Sequence, residues 1–133
     1  MNYWLVKSEP HKYPITQLQK DGVTCWDGVR NHQARNNLRA MKSGEFCLYY
    51  HSNEGREIVG LARVHREAYP DPGDSQWLAV DLAFVEIFPQ SLGLHQLKAH
   101  PLLSRIELIR QSRLSVLPVR PGEFEEILKL THP

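Results

Sequence analysis

Apolar residues recur along this chain with two different periods, and the changes between them mark out its elements. Residues 3–7 are a run of aromatic and branched side chains that predicts a strand, stopped by Ser8-Glu9-Pro10. Residues 14–20 predict a short helix, with Pro14 in its first turn and Asp21-Gly22 at its end. A short extended piece, residues 23–26, leads into the turn Asp27-Gly28. From there Ala34, Leu38 and Met41 recur at i, i+4 and i+7, the spacing of a buried helical face. Arg35, Arg39 and Lys42 share that spacing on the adjacent stripe. The segment therefore predicts a basic helix docked on a core, closed by Ser43-Gly44.

Residues 46–51 are strongly apolar and predict a strand. A turn at Asn53-Glu54-Gly55 joins it to a second strand over 57–65, completing an antiparallel hairpin. Gly60 inside that strand marks a bulge or a close approach to the backbone. Residues 69–75 carry turn chemistry throughout and predict an exposed loop. Residues 77–85 alternate, with Leu78, Val80, Leu82 and Phe84 on one face and Trp77, Ala79, Asp81 and Ala83 on the other, which predicts a half-buried strand. A short helix is expected over 92–99, and two short strands at 106–109 and 113–119. A last helix over 121–130 would bury Phe124, Ile127 and Leu128, with Glu123, Glu125 and Glu126 near its positive N-terminal end. This element order, without regular βαβ alternation, predicts a mixed α+β domain with a small, curled, barrel-like sheet.

Composition narrows the partners. A chain of 133 residues is expected to form one domain, residues 1–133, and the formal net charge of +1 shows that the molecule is not a polycation. Attraction to phosphate must then come from local clustering, and residues 30–42 supply it with Arg30, Arg35, Arg39 and Lys42 and no acidic residue. If each neutralised one phosphate, the log–log salt slope on duplex DNA would be about −3.6. Cys25 and Cys47 are too few for a disulfide framework and form no CxxC pair, so a reduced, intracellular setting is expected. The first ten residues have neither a basic n-region nor a long apolar h-region, and no apolar run approaches the ~20 residues of a membrane span. These features predict a cytoplasmic protein without membrane contact, or a nuclear one in a eukaryotic cell.

Three kinds of chemistry are open to these residues. Either thiol could be a nucleophile beside one of the histidines, but Cys47 sits in Phe-Cys-Leu-Tyr and Cys25 beside Trp26, where small buried hydrophobes are expected. His51, His65, His95 and His100 lie on different elements with no helical i, i+4 ligand pair, so neither a metal nor a cofactor is expected. A base-binding pocket fits better. Trp26 and Trp77 stand next to turns or strand ends, cations lie nearby, and Ser8, Asn31, His51 and Ser52 could supply directional hydrogen bonds. The plainer readings are core packing for each tryptophan and a helix cap for Asn31. An enzyme acting on a nucleotide, with Glu9, Asp27 and His51 as acid–base groups, and a protein-interaction module built on Trp77 and the Pro-rich loop are the alternatives.

Tyr-Trp-Leu-Val-Lys-Ser-Glu-Pro at 3–10 and Trp-Asp-Gly-Val-Arg-Asn-His-Gln-Ala-Arg-Asn at 26–36 resemble the signatures of EVE domains. Tyr-Tyr-His-Ser at 49–52, Tyr-Pro-Asp-Pro at 69–72 and Arg-Leu-Ser-Val at 113–116 match in the expected order. The resemblance implies a PUA-like mixed β pseudobarrel with several short flanking helices, in the fold group that contains the YTH readers of methylated adenine. It implies a non-catalytic reader of modified bases, chiefly methylated or hydroxymethylated cytosine in DNA, with modified RNA bases also considered. Carried onto this chain, Lys7, Ser8, Glu9, Trp26 and Asn31 would line the pocket, with Tyr49, His51 and Ser52 as its floor and Trp77 as a second wall. Arg30, Arg35, Arg39, Lys42 and Arg113 would hold the nucleic-acid backbone, and the protein is expected to act as a monomer. The chain departs from the family pattern at His32, where tyrosine is common, at Glu45 for aspartate, and at Phe124 for tryptophan.

Overall fold

The structure is a computed structural model describing residues 1–133. Its frame is one six-stranded sheet with the strand order β2-β5-β4-β3-β1-β6, open between its two edge strands. Strand β1 (Tyr3–Ser8) lies near one edge, parallel to β3 (Phe46–His51) and antiparallel to β6 (Val116–Val119). Strand β2 (Val23–Trp26) forms the other edge against β5 (Asp74–Gly93). Antiparallel strands rarely need more than a turn between them, whereas the parallel pair β1–β3 needs a crossover. That crossover carries α1 (Ile15–Asp21), β2 and α2 (His32–Ala40). The apolar periods decide which faces meet. Leu5, Leu18, Leu38, Met41, Leu48 and Leu82 are fully buried in one continuous core.

The centre of the sheet is the long hairpin β4 (Glu57–Asp71) and β5, whose register shifts at five places. Each shift adds local twist and bends the sheet. Gly60 sits at such a shift, and a Cβ built on it would lie 2.6 Å from the Glu86 carbonyl oxygen and 3.1 Å from two side-chain carbons of Ile15. Here the backbone of the neighbouring strand occupies the space of a side chain.

Three expected elements differ. Residues 69–75 are the tip of this hairpin rather than an exposed loop, because β4 runs on to Asp71 and β5 starts at Asp74. Turn chemistry is present, but only Pro72-Gly73 makes the turn, and the Asp71 carboxylate takes the Gly73 N–H at 2.7 Å. Residues 106–109, expected as a strand, instead cap and begin α4 (Glu107–Arg110). There Glu107 pairs with Arg110 and hydrogen-bonds Gln111 one turn on, while Ile106 and Leu108 turn into the core. Of residues 113–119 only Val116–Val119 join the sheet. Pro118 is tolerated there because β6 is an edge strand.

The helices α3 (Leu94–Ala99) and α5 (Pro121–Thr131) complete the fold; α5 packs on β5. Two of the departures from the family pattern have structural roles. Phe124 stacks on Tyr3 with ring centroids 4.1 Å apart. Glu45, which is buried, accepts the Trp4 indole N–H and the backbone N–H groups of Asn2 and Lys42. Burial opposes ionisation of Glu45, yet these donors hold its carboxyl below the usual range. No helix is long and apolar enough to cross a membrane.

Candidate functional site

Where β1 runs out at Ser8, the chain turns away from the sheet and leaves a cavity of about 480 Å³. Its walls come from three distant segments. They are the corner from Lys7 to Tyr13, the end of β2 with the loop to Arg30, and Ser115 just before β6. Backbone pairing fixes that corner: Lys7 N–H donates to the Ser115 carbonyl at 3.0 Å, and Ser52 N–H donates to the Ser8 carbonyl at 2.9 Å. The Ser8 and Tyr49 hydroxyls both donate to the Tyr13 carbonyl, at 2.7 and 2.6 Å. The opposite wall turns at Gly28, whose φ of +77° suits glycine and lets the loop double back.

Asp71 holds that loop in place. The tip of the β4–β5 hairpin folds over it, leaving Asp71 only 3% exposed. One carboxylate oxygen accepts the Gly28 N–H and an Arg30 guanidinium N–H, each at 2.9 Å. The other accepts Gly73 N–H. The Arg30 hydrogen bond, helped by those two N–H groups, holds the carboxyl down at about 2 against the work of burial. Asp71 and Arg30 therefore stay a charged pair across the physiological range.

Trp26 is the indole of the cavity. It is 8% exposed and is held by edge-on contacts to Tyr13 (76°, centroids 6.2 Å apart) and Tyr49 (76°, 5.5 Å apart). Tyr13, which the sequence reading had not singled out, is the second aromatic in the lining. Four charged groups cancel in pairs, Lys12 with Glu9 at 3.0 Å and Arg30 with Asp71, while Asp27 is exposed at the rim. Glu9 is held ionised, first by the Lys12 hydrogen bond. Lys7 is different. Its ammonium donates to the Ser112 carbonyl at 2.7 Å and has no carboxylate partner, and burial lowers its pKa. The cavity thus presents an aromatic wall beside a cation that has hydrogen-bonding capacity to spare.

The structure sorts the expected site residues into three groups. Lys7, Ser8, Glu9, Trp26 and Arg30 line the cavity together. Tyr49, His51 and Ser52 stand behind it. Tyr49 is fully buried, and burial pushes its hydroxyl up. The His51 ring nitrogen Nε2 accepts the Ile15 N–H at 3.1 Å, closing the open end of α1, and burial keeps this imidazole neutral. The rest lie outside. Asn31 caps α2, accepting the Ala34 N–H at 3.0 Å. Trp77 stacks on His32 at 5.1 Å with the guanidinium carbons of Arg30 and Arg35 at 5.7 and 5.4 Å, so its faces are occupied away from the cavity.

The basic helix also differs from a free phosphate-holding stripe. Arg35 donates to the Gln76 carbonyl, and Arg39 to the Asn36 side chain. Lys42 lies beyond the end of α2 and makes no ion pair. Cys25 alternates with Trp26 along β2, and its sulfur meets the Tyr69 hydroxyl at 3.0 Å. Cys47 is buried, and burial raises its thiol strongly.

The open, mixed sheet with its flanking helices defines an α+β protein, and its solved relatives place that fold in the PUA-like group. Residues 2–130 match the family model "EVE domain", and the chain belongs to that family. It is 39% identical over 166 residues to thymocyte nuclear protein 1 of Mus musculus, with 97% of this chain and 73% of that protein covered. Its fold is similar to the human THYN1 protein in complex with 5-methylcytosine-containing DNA, with a TM-score of 0.93 and 34% identity, covering 100% of this chain and 99% of that one. At a greater distance it shares its fold with the YTH domain of Zygosaccharomyces rouxii MRB1, crystallised with N6-methyladenosine RNA. That TM-score is 0.66 at 14% identity, over 99% of this chain and 87% of the other.

Proposed function

We propose that this protein is a non-catalytic reader that takes one modified nucleobase of a nucleic acid into the cavity beside Trp26, with methylated or hydroxymethylated cytosine in DNA as the first choice. The observation that carries the reading is the cavity itself: a rigidly held indole and a cation without an acid partner at the end of β1. The human THYN1 complex supports the choice of methylated cytosine, because that protein has the same fold and was crystallised on 5-methylcytosine DNA.

The energetics constrain how such a reader works. Stacking a base on an aromatic side chain contributes ~1–3 kcal/mol, while extracting it from a duplex costs a few kcal/mol. Phosphate contacts must supply the remainder. A buried methyl adds only ~0.8 kcal/mol, about fourfold in affinity. Sharper discrimination requires that the unmodified base leave a polar group of the pocket unpaired. Binding rather than catalysis is supported by His51, the best general-base candidate in the sequence: its Nε2 lone pair is already spent on the Ile15 N–H.

The test is an anisotropy panel of oligonucleotides carrying cytosine, 5-methylcytosine, 5-hydroxymethylcytosine or modified RNA bases, with mass spectrometry of each after incubation. The expected result is saturable binding with a preference for one modified base and no product. Trp26→Ala should erase that preference, losing about 5- to 150-fold in affinity as ~1–3 kcal/mol of stacking is removed. Because Trp26 also packs in the core, Lys7→Met serves as the second variant; it keeps the aliphatic stem and removes the ammonium. Product formation, or a preference that survives both variants, would refute the reading.

A further inference from the structure

Positive charge without an acid partner is not confined to α2 and Lys42. On the far side of the loop that ends the cavity, a second recess of about 350 Å³ opens between Asn31 and the segment from Arg110 to Leu114. Its two walls continue, one residue further along the chain, walls of the cavity. Arg30 lines one and Asn31, the next residue, lines the other; Ser115 lines the cavity, and Ser112 and Arg113 line the recess. Lys7 ties the two together, since its ammonium on the cavity side holds the Ser112 carbonyl at 2.7 Å.

The polar atoms around this recess are sorted by sign. Two of the amide acceptors are already used: Asn31 Oδ1 takes the Ala34 N–H, and Gln111 Oε1 takes a Gln33 amide N–H at 2.8 Å. Donors remain, namely the Asn31 amide, the second N–H of Gln33 and two guanidinium groups. Glu107, at 3.4 Å from Arg110, offsets one of these charges, whereas Arg113 has no acidic partner and is exposed. A recess in which free donors outnumber free acceptors and the net charge is positive fits an acceptor-rich anion. Its adjoining position fits one that is covalently continuous with whatever occupies the cavity.

We infer that this recess seats a backbone phosphodiester next to the base held by Trp26, so that Arg113, with Arg110 and Asn31, grips the same strand the cavity reads. The inference rests on the nucleic-acid reading proposed above. Of the residues expected to hold the backbone, it gives Arg113 a defined seat at the junction between α4 and β6 and adds Arg110 and Asn31 to it. Arg35 and Arg39 of α2 each spend a donor on a neutral partner, Gln76 and Asn36, whereas the Arg113 guanidinium makes no hydrogen bond or ion pair and is free to meet a phosphate.

The test compares log–log salt slopes for a single-stranded oligonucleotide bearing the preferred base. Each phosphate neutralised on a single strand contributes about 0.7 to the slope. In the double variant Arg110→Gln/Arg113→Gln the slope should therefore become shallower by about 0.7 to 1.4, the lower figure being Arg113 alone. Affinity at low salt should fall, while the ratio between modified and unmodified base is kept. A control variant, Arg56→Gln/Lys98→Gln, alters a recess of about 280 Å³ that also carries two cations but is built from segments that do not adjoin those of the cavity, and its slope should match wild type. An unchanged slope in the Arg110/Arg113 variant, or an equal change in the control, overturns the inference while leaving base reading intact. A shallower slope without any base preference in the wild type supports the phosphate seat and refutes base reading instead.

Discussion

Replacing Asp71 by asparagine tests the physics that shapes the cavity. Asp71 is buried, accepts three hydrogen bonds, and faces an Arg30 side chain that is 42% exposed. Its carboxyl is held at about 2, against an ordinary 3.8. That difference corresponds to about 2 kcal/mol of native-state stability at neutral pH, and somewhat less once the solvent around Arg30 is counted. The sign follows from the depression: the contribution is present above the unfolded value near 3.8 and is lost as pH falls through about 2. Asparagine keeps the shape but not the charge. One of its atoms becomes an N–H₂ that must face either Gly73 N–H or the Gly28 and Arg30 donors. An unpaired buried donor costs ~1–3 kcal/mol, so Asp71→Asn should destabilise the fold by ~2–3 kcal/mol at pH 7. Urea denaturation with a shared m-value measures this, and the gap to wild type should shrink steadily between pH 5 and pH 2. A gap under ~0.5 kcal/mol at pH 7, or one that ignores pH, would refute the account of the clamp.

Two further outcomes follow from local geometry. Gly60→Ala places a methyl 2.6 Å from the Glu86 carbonyl oxygen, which is backbone and cannot swing aside; it should cost at least the ~1–3 kcal/mol of overpacking, read as a lower urea midpoint. His132 is raised in pKa, first by the Leu128 carbonyl 2.7 Å from Nδ1 and then by Glu86. Its stabilisation is therefore complete below the ordinary value of 6.5 and is lost as pH rises through the raised one. His132→Gln should lower the melting temperature at pH 6 and leave it nearly unchanged at pH 9.

How far these features could be read from the sequence depended on the range of the interaction involved. The core face of α2 followed from the spacing of Ala34, Leu38 and Met41, all of which are buried, because helical period is a local property. The β3–β4 hairpin and the special place of Gly60 followed in the same way. Asp71 could not be found so, since its role depends on Gly28 and Arg30, which are more than 40 residues away, and its neighbours are Pro72 and Gly73. Ile106 and Ile109 misled for a related reason. Their β-propensity is a weak preference, overridden by the pairing of Glu107 with Arg110 and by the burial of Leu108. Within the cavity, the Lys7-Ser8-Glu9 corner and Trp26 were legible as motifs. Tyr13 and Ser115 were not, because nothing in their spacing marks them; only the fold brings them to the same corner.

The pairing of β1 with β6 has a consequence for how the protein matures. Tyr3 lies opposite Val119, so the first strand finds one of its partners only when nearly the whole chain is available. Closing so long a loop is the kind of non-local step that slows folding. The cavity inherits this dependence, since one wall is Lys7 and another is Ser115. A nascent or C-terminally clipped chain lacks a finished pocket, however well its central hairpin has formed. In the complete chain, a ligand that seats there fastens the two ends together. At a concentration 100 times its dissociation constant it would add about 2.7 kcal/mol to the stability of the entire molecule rather than to one loop.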